Sequence, residues 1–161
     1  MKVDIYMAGD SRRPDTIERW VGYLIRAGRG EVTGTASCVD TFHGSFLPVI
    51  VDALDRFIRP AEITMHIEDG WVAACLARME EGEEGDPRSL LERWQANGWK
   101  KSNGSPIDNK DKWQRVYNKL RVFENSGGTF QFVKLEKNDE TDASCMAKIA
   151  RAIKSSKQNP D

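Results

Sequence analysis

The chain of 161 residues carries 24 lysines and arginines against 25 aspartates and glutamates, a formal net charge of -1 and a sequence pI near 6.2. This length suits one domain whose core needs neither disulfides nor metal staples. The charge balance excludes attraction to nucleic acid through overall charge, so any such attraction must be local.

Lys2 to Ala8 alternates apolar and polar residues, with Val3, Ile5 and Met7 on one face, and predicts a first strand that Gly9 and Asp10 turn. Val21 to Ile25 predicts a second strand, Gly28-Arg29-Gly30 its hairpin turn, and the β-branched run Glu31 to Ala36 a third. From Ser45 to Ile58 the apolar residues Phe46, Val49, Ile50, Ala53, Leu54 and Phe57 recur at helical spacing, with Pro48 in the first turn and Pro60 closing the helix. Ile63 to Ile67 reads as a strand and Trp71 to Met79 as a helix. The acidic run Glu80 to Asp86 reads as a solvated loop.

A helix from Arg88 to Asn97 stops at Gly98, and another from Asp111 to Phe123 turns Trp113, Val116, Tyr117 and Leu120 to one face. Gly127-Gly128 leads into a last strand, Thr129 to Leu135. A final helix from Thr141 to Ile153 carries the stripe Ala143, Met146, Ala147, Ala150 and Ile153. This order predicts an α/β (α+β) domain over residues 1–154, a five-stranded mixed sheet flanked by helices, with a frayed polar tail at 155–161.

The cysteines Cys38, Cys75 and Cys145 form no CxxC pair, and His43 and His66 are the only histidines. They read as buried free thiols in a reducing cytoplasm and as structural imidazoles. The first residues are charged too early for a signal peptide, and no apolar run approaches the ~20 residues a bilayer needs. The expected location is therefore cytoplasmic, with no membrane partner.

Two segments carry more specific information. Trp94-Gln95-Ala96-Asn97-Gly98-Trp99-Lys100-Lys101 and the following Asp108-Asn109-Lys110-Asp111-Lys112-Trp113-Gln114-Arg115 resemble the basic substrate-gripping protrusion of bacterial type 1 ribonuclease H. Phe132-Val133-Lys134 resembles that family's last-strand ending, and the element order matches its fold over nearly the whole chain. The resemblance implies a ribonuclease H-like fold with the first strand central. It also implies an RNA/DNA hybrid or structured nucleic acid as partner, and hydrolysis of the RNA strand by two magnesium ions held on converging carboxylates.

The carboxylates are where this chain departs from the family. The indispensable aspartate after the first strand aligns with Ala8 of Ala8-Gly9-Asp10, the first-helix glutamate with Ser45, and the last-helix aspartate with Met146. The catalytic loop histidine aligns with Glu136, and the polar run that grips the minor groove reads Thr41-Phe42-His43. The fourth-strand aspartate alone keeps an acid, as Glu68. Residual catalytic candidates are Glu68, Asp10 and Asp142, with Glu68 and Asp10 as metal ligands for Mg or Mn if the chain is active; otherwise no cofactor is expected.

Nucleic-acid contacts are expected from Trp94, Trp99, Lys100, Lys101, Lys110 and Lys112, where basic side chains stand beside aromatic rings. Trp113 reads as core. The leading expectation is a pseudoenzyme with a degenerate active site, catalytically impaired or inactive, that acts as a binding or interaction module. The alternatives are a metal-dependent ribonuclease H with a rebuilt site, and a module that binds a protein partner and no nucleic acid.

Overall fold

The computed structural model describes residues 1–13 and 15–159. Strands β1 (Lys2–Gly9), β2 (Ile17–Ala27) and β3 (Gly30–Asp40) form an antiparallel meander. They are followed by α1 (Phe42–Leu54), β4 (Glu62–Ile67), α2 (Gly70–Leu76), α3 (Leu90–Ala96), α4 (Lys110–Asn125), β5 (Thr129–Lys134) and α5 (Glu140–Gln158). The sheet order is β3-β2-β1-β4-β5, with β1 parallel to β4 and β4 parallel to β5. This is the expected five-stranded mixed sheet with β1 at its centre.

The alternation of β1 explains its place. Val3, Ile5 and Met7 enter the main core with residues of α1 to α4, whereas Tyr6 and Ala8 enter a smaller core with Leu24, Leu135, Cys145, Ile149 and Ile153. Helix α5 covers that second face. It lies so close to β2 that a Cβ at Gly22 would stand 2.8 Å from Ile149 Cγ2. Each buried isoleucine of α5 contributes about 1.5–3 kcal/mol of transfer free energy.

Several boundaries differ from the sequence expectation. Both β2 and β3 extend well past their apolar centres, because backbone pairing continues through Ile17↔Asp40 whatever the side chains. Helix α1 begins at Phe42 because the Thr41 side chain accepts from Gly44 N at 3.2 Å and caps it. Pro48 therefore lies inside the helix rather than in its first turn. Helix α2 ends at Leu76, short of Met79.

Helix α5 continues through Ser155 to Gln158, where a frayed tail was expected, and Lys157 ties its last turn to Asp10 at 2.7 Å. Residues 160–161 of that expected tail lie outside the described residues. Among the described residues no helix is long and apolar enough to cross a membrane.

Candidate nucleic-acid interface and residual carboxylate site

The parallel strands β1 and β4 end side by side, and Glu68 follows β4 at that edge. Glu68 is 8% exposed, and both of its oxygens are occupied. Oε1 accepts from Gly9 N at 3.0 Å, while Oε2 accepts from Arg12 Nε at 3.1 Å and Nη2 at 2.9 Å. The guanidinium thus stands against the one carboxylate that alignment to the ribonuclease H pattern retained.

The other two candidate acids are engaged elsewhere. Asp10 accepts from Trp20 N at 3.1 Å and from Lys157 Nζ at 2.7 Å. Asp142, in the first turn of α5, is buried and accepts from Glu136 N at 2.8 Å, so it fastens the loop before the helix. Among the described residues, no group of three or more His, Cys, Asp or Glu side chains is placed to hold a metal ion. A pair of divalent ions needs several hard oxygen ligands converging on one spot. The residues present do not fit such a pair.

Beside the end of β1 the surface is partly apolar. A cleft of about 490 Å³ is lined by Ala8, Gly9, Asp10, Met146, Ile153, Lys154 and Lys157, among others. Ser45 is buried, and its hydroxyl donates to Phe42 O at 2.6 Å, inside α1.

The residues on either side of Arg12 are held by an arginine that no sequence motif singled out. Arg19 on β2 is 1% exposed. Its Nε donates to Asp40 O at 2.8 Å and Nη1 to Ser11 O at 2.9 Å, and Nη2 donates to the carbonyls of Arg13 and Asp15. A planar fork of five donors suits this task, because it satisfies carbonyls of a turn that has no secondary structure of its own. Asp40, which supplies one of those carbonyls, is buried. It accepts from Thr41 N at 2.7 Å and pairs with Lys112. Gly44 makes room for it: a Cβ there would stand 2.2 Å from Asp40 Oδ1.

The protrusion is built on tryptophans. Trp113 on α4 is buried, as expected, and Trp94 on α3 packs against it at 5.3 Å with its own ring half-buried. Trp99 was expected to offer its ring to a ligand, but it is 8% exposed and packs on Tyr117 at 6.0 Å. Its φ of 63° is left-handed, and its backbone bonds to Trp94 O at 2.8 Å and Ile107 N at 3.0 Å anchor the turn that presents Lys100 and Lys101.

The basic side chains divide into two groups. Lys112, expected to face phosphates, is instead paired with Asp40; Lys119 pairs with Asp55, and Lys101 lies 3.5 Å from Asp108. Lys100, Lys110, Arg93 and Arg115 are exposed and take part in no ion pair among the described residues.

The thiols are not nucleophiles poised for chemistry. Burial, followed by the nearby Asp69 charge, pushes the Cys75 thiol up to about 12. Burial also raises Cys145 and Cys38, and Cys38 is half-buried rather than fully enclosed. His66 is structural as read, stacked on Tyr6 at 4.4 Å and bonded to Asp4 at 3.0 Å.

The mixed sheet, central β1 and helix placement define a ribonuclease H-like fold. In sequence the chain resembles the ribonucleases H themselves: that of Thermoanaerobacter sp. (strain X514) is 25% identical over 160 residues, 98% of this chain and 94% of that protein. Ribonuclease H of Janthinobacterium sp. (strain Marseille) is 27% identical over 116 residues, 71% of this chain and 72% of that protein. No protein-family model matches the chain.

Two solved structures share the fold. The PFV RNase H domain in solution superposes with a TM-score of 0.58 at 14% identity, over 96% of this chain and 92% of that one. The foamy viral protease-reverse transcriptase in complex with RNA/DNA hybrid gives 0.58 at 15% identity, over 92% of this chain, which spans 19% of that protein's length.

Proposed function

We propose that the chain is a ribonuclease H-like module that binds RNA/DNA hybrid through its own cations and does not hydrolyse it. The observation that carries this reading is the state of Glu68, whose carboxylate is occupied by Gly9 N and Arg12. A ligand to a divalent ion must offer free oxygen lone pairs, and a carboxylate accepting three hydrogen bonds has few to give.

Further support comes from the dispersal of Asp10 and Asp142 onto separate structural bonds, and from the exposed cations of the protrusion. The comparison with a reverse transcriptase solved on a hybrid points to the same ligand. The net charge of -1 requires that affinity come from this local patch and fall with salt.

The test is incubation of end-labelled hybrid with the purified chain in magnesium and, separately, manganese, with Glu68→Ala in parallel. The expected result is no cleavage by either protein in either ion. Cleavage that disappears in Glu68→Ala would overturn the reading in favour of a rebuilt metal site using Asp10, Glu68 and Asp142.

A further inference from the structure

We infer that His43 and Trp71 form a subsite for an unpaired nucleotide, a base stacked on the indole with a sugar hydroxyl donating to His43 Nε2, flanking the hybrid. This rests on the hybrid-binding reading above and adds a ligand feature to it.

The site is built on a buried carboxylate. Asp69 is 3% exposed, and its Oδ1 accepts from Trp71 N at 3.0 Å and Val72 N at 3.2 Å, which fixes the side chain. Its Oδ2 meets His43 Nδ1 at 2.5 Å. An ionised carboxylate only accepts, so Nδ1 carries the proton and Nε2 is the nitrogen left for a ligand. The His43 side chain is 50% exposed, so that nitrogen is not sealed inside the core.

Trp71 supplies the flat surface. It is 46% exposed, and it is the one aromatic among the exposed large apolar side chains of the described residues. Its ring centroid lies 4.6 Å from that of His43, and behind it the ring packs on Trp113 at 6.1 Å and Trp94 at 6.4 Å. A half-exposed indole backed by the buried Trp113 and the half-buried Trp94 loses little entropy when a base stacks on it.

The location suits a nucleic acid. Glu68, with Arg12 bound to it, directly precedes Asp69 in sequence, and α3, which carries Trp94, leads into the basic turn at Lys100. A duplex hides the faces of its bases, whereas a single strand offers them. The ledge therefore fits a single-stranded flank better than the hybrid itself.

The experiment compares three fluorescent probes by anisotropy: a blunt hybrid, the same hybrid with a short single-stranded overhang, and the overhang strand alone. The overhang is expected to tighten hybrid binding by roughly 5- to 150-fold, the span of one stacked base. That ratio should fall to about one in Trp71→Leu and decrease in His43→Ala. Because Trp71 also packs on its neighbours, the exposed His43 supplies the variant that tests the site if Trp71→Leu fails to fold.

Equal affinity of wild type for blunt and overhang hybrids overturns the inference, as does a ratio that survives in the folded variants. Binding of the single strand through Trp71 without any binding of blunt hybrid keeps the subsite and overturns the hybrid reading. No binding of any probe overturns both.

Discussion

Replacing Arg19 by alanine is expected to lower the unfolding free energy by about 3–5 kcal/mol, because it removes several charge-assisted hydrogen bonds to backbone carbonyls, each contributing about 1.5–3 kcal/mol where buried. In a domain of this size that corresponds to a fall of roughly 10 °C in Tm. The guanidinium is 1% exposed and serves carbonyls of Asp40, Ser11, Arg13 and Asp15. Without it, those acceptors lose a charged donor, and each one left buried and unpaired costs about 1–3 kcal/mol.

Arg19→Met separates packing from hydrogen bonding, since it keeps most of the stem and loses every donor. Thermal and urea melts of both variants measure the effect. Both should lose most of the same stability, and a methionine variant as stable as wild type would show that the carbonyls find water instead. Because the stapled segment carries Arg12, the same substitution should also free Glu68 from its guanidinium.

The second large effect concerns binding. Lys100→Glu combined with Lys101→Glu is expected to weaken hybrid binding by more than tenfold near physiological salt. It should also make the plot of log affinity against log salt shallower by about one for the unpaired Lys100, and by about two where Lys101 exchanges Asp108 for a phosphate. Both side chains are exposed on the turn that Trp99 anchors from beneath, so reversal changes charge without touching the core. Anisotropy titrations at several salt concentrations provide both numbers. An unchanged salt slope would place the hybrid elsewhere on the surface. Lys112 should behave differently, because its ammonium is already paired with Asp40; its loss would appear in stability more than in salt dependence.

Much of the fold was legible because it rests on periodicity. The alternation of Val3, Ile5 and Met7 marked β1, and the stripe from Phe46 to Leu54 marked α1, since both patterns follow directly from which face meets the core. Strand ends were harder to read, because the pairing of Ile17 to Arg19 with Cys38 to Asp40 depends on the backbone and leaves little apolar signature. The end of α5 was misjudged for a similar reason: polar residues from Ser155 onward look frayed in sequence, while the Lys157 to Asp10 bond joins positions 147 residues apart.

Of the candidate site, the sequence offered residue types and positions but not their partners. The resemblance implied Ala8, Ser45 and Met146 at the family's acidic positions, an expectation; the structure puts Ala8 and Met146 on the wall of a partly apolar cleft. The resemblance could not place Arg12 on Glu68, a contact across 56 residues made by a loop with no periodic signal. Nor could it distinguish Trp99, turned inward by a left-handed backbone, from Trp71, turned outward one residue into α2. Tryptophans and lysines marked the region by type, but which of them remain free is decided by partners such as Asp40 and Asp55 that lie far away in sequence.

The most direct measurement is the affinity of the intact chain for blunt RNA/DNA hybrid with excess EDTA and with millimolar magnesium, at matched ionic strength. If the chain grips the hybrid with its own arginines and lysines, the two dissociation constants agree within experimental error, and Glu68→Ala does not make either depend on the metal. A tenfold or greater tightening in magnesium that Glu68→Ala abolishes would contradict this, because it would mean that Arg12 gives up Glu68 to a metal ion.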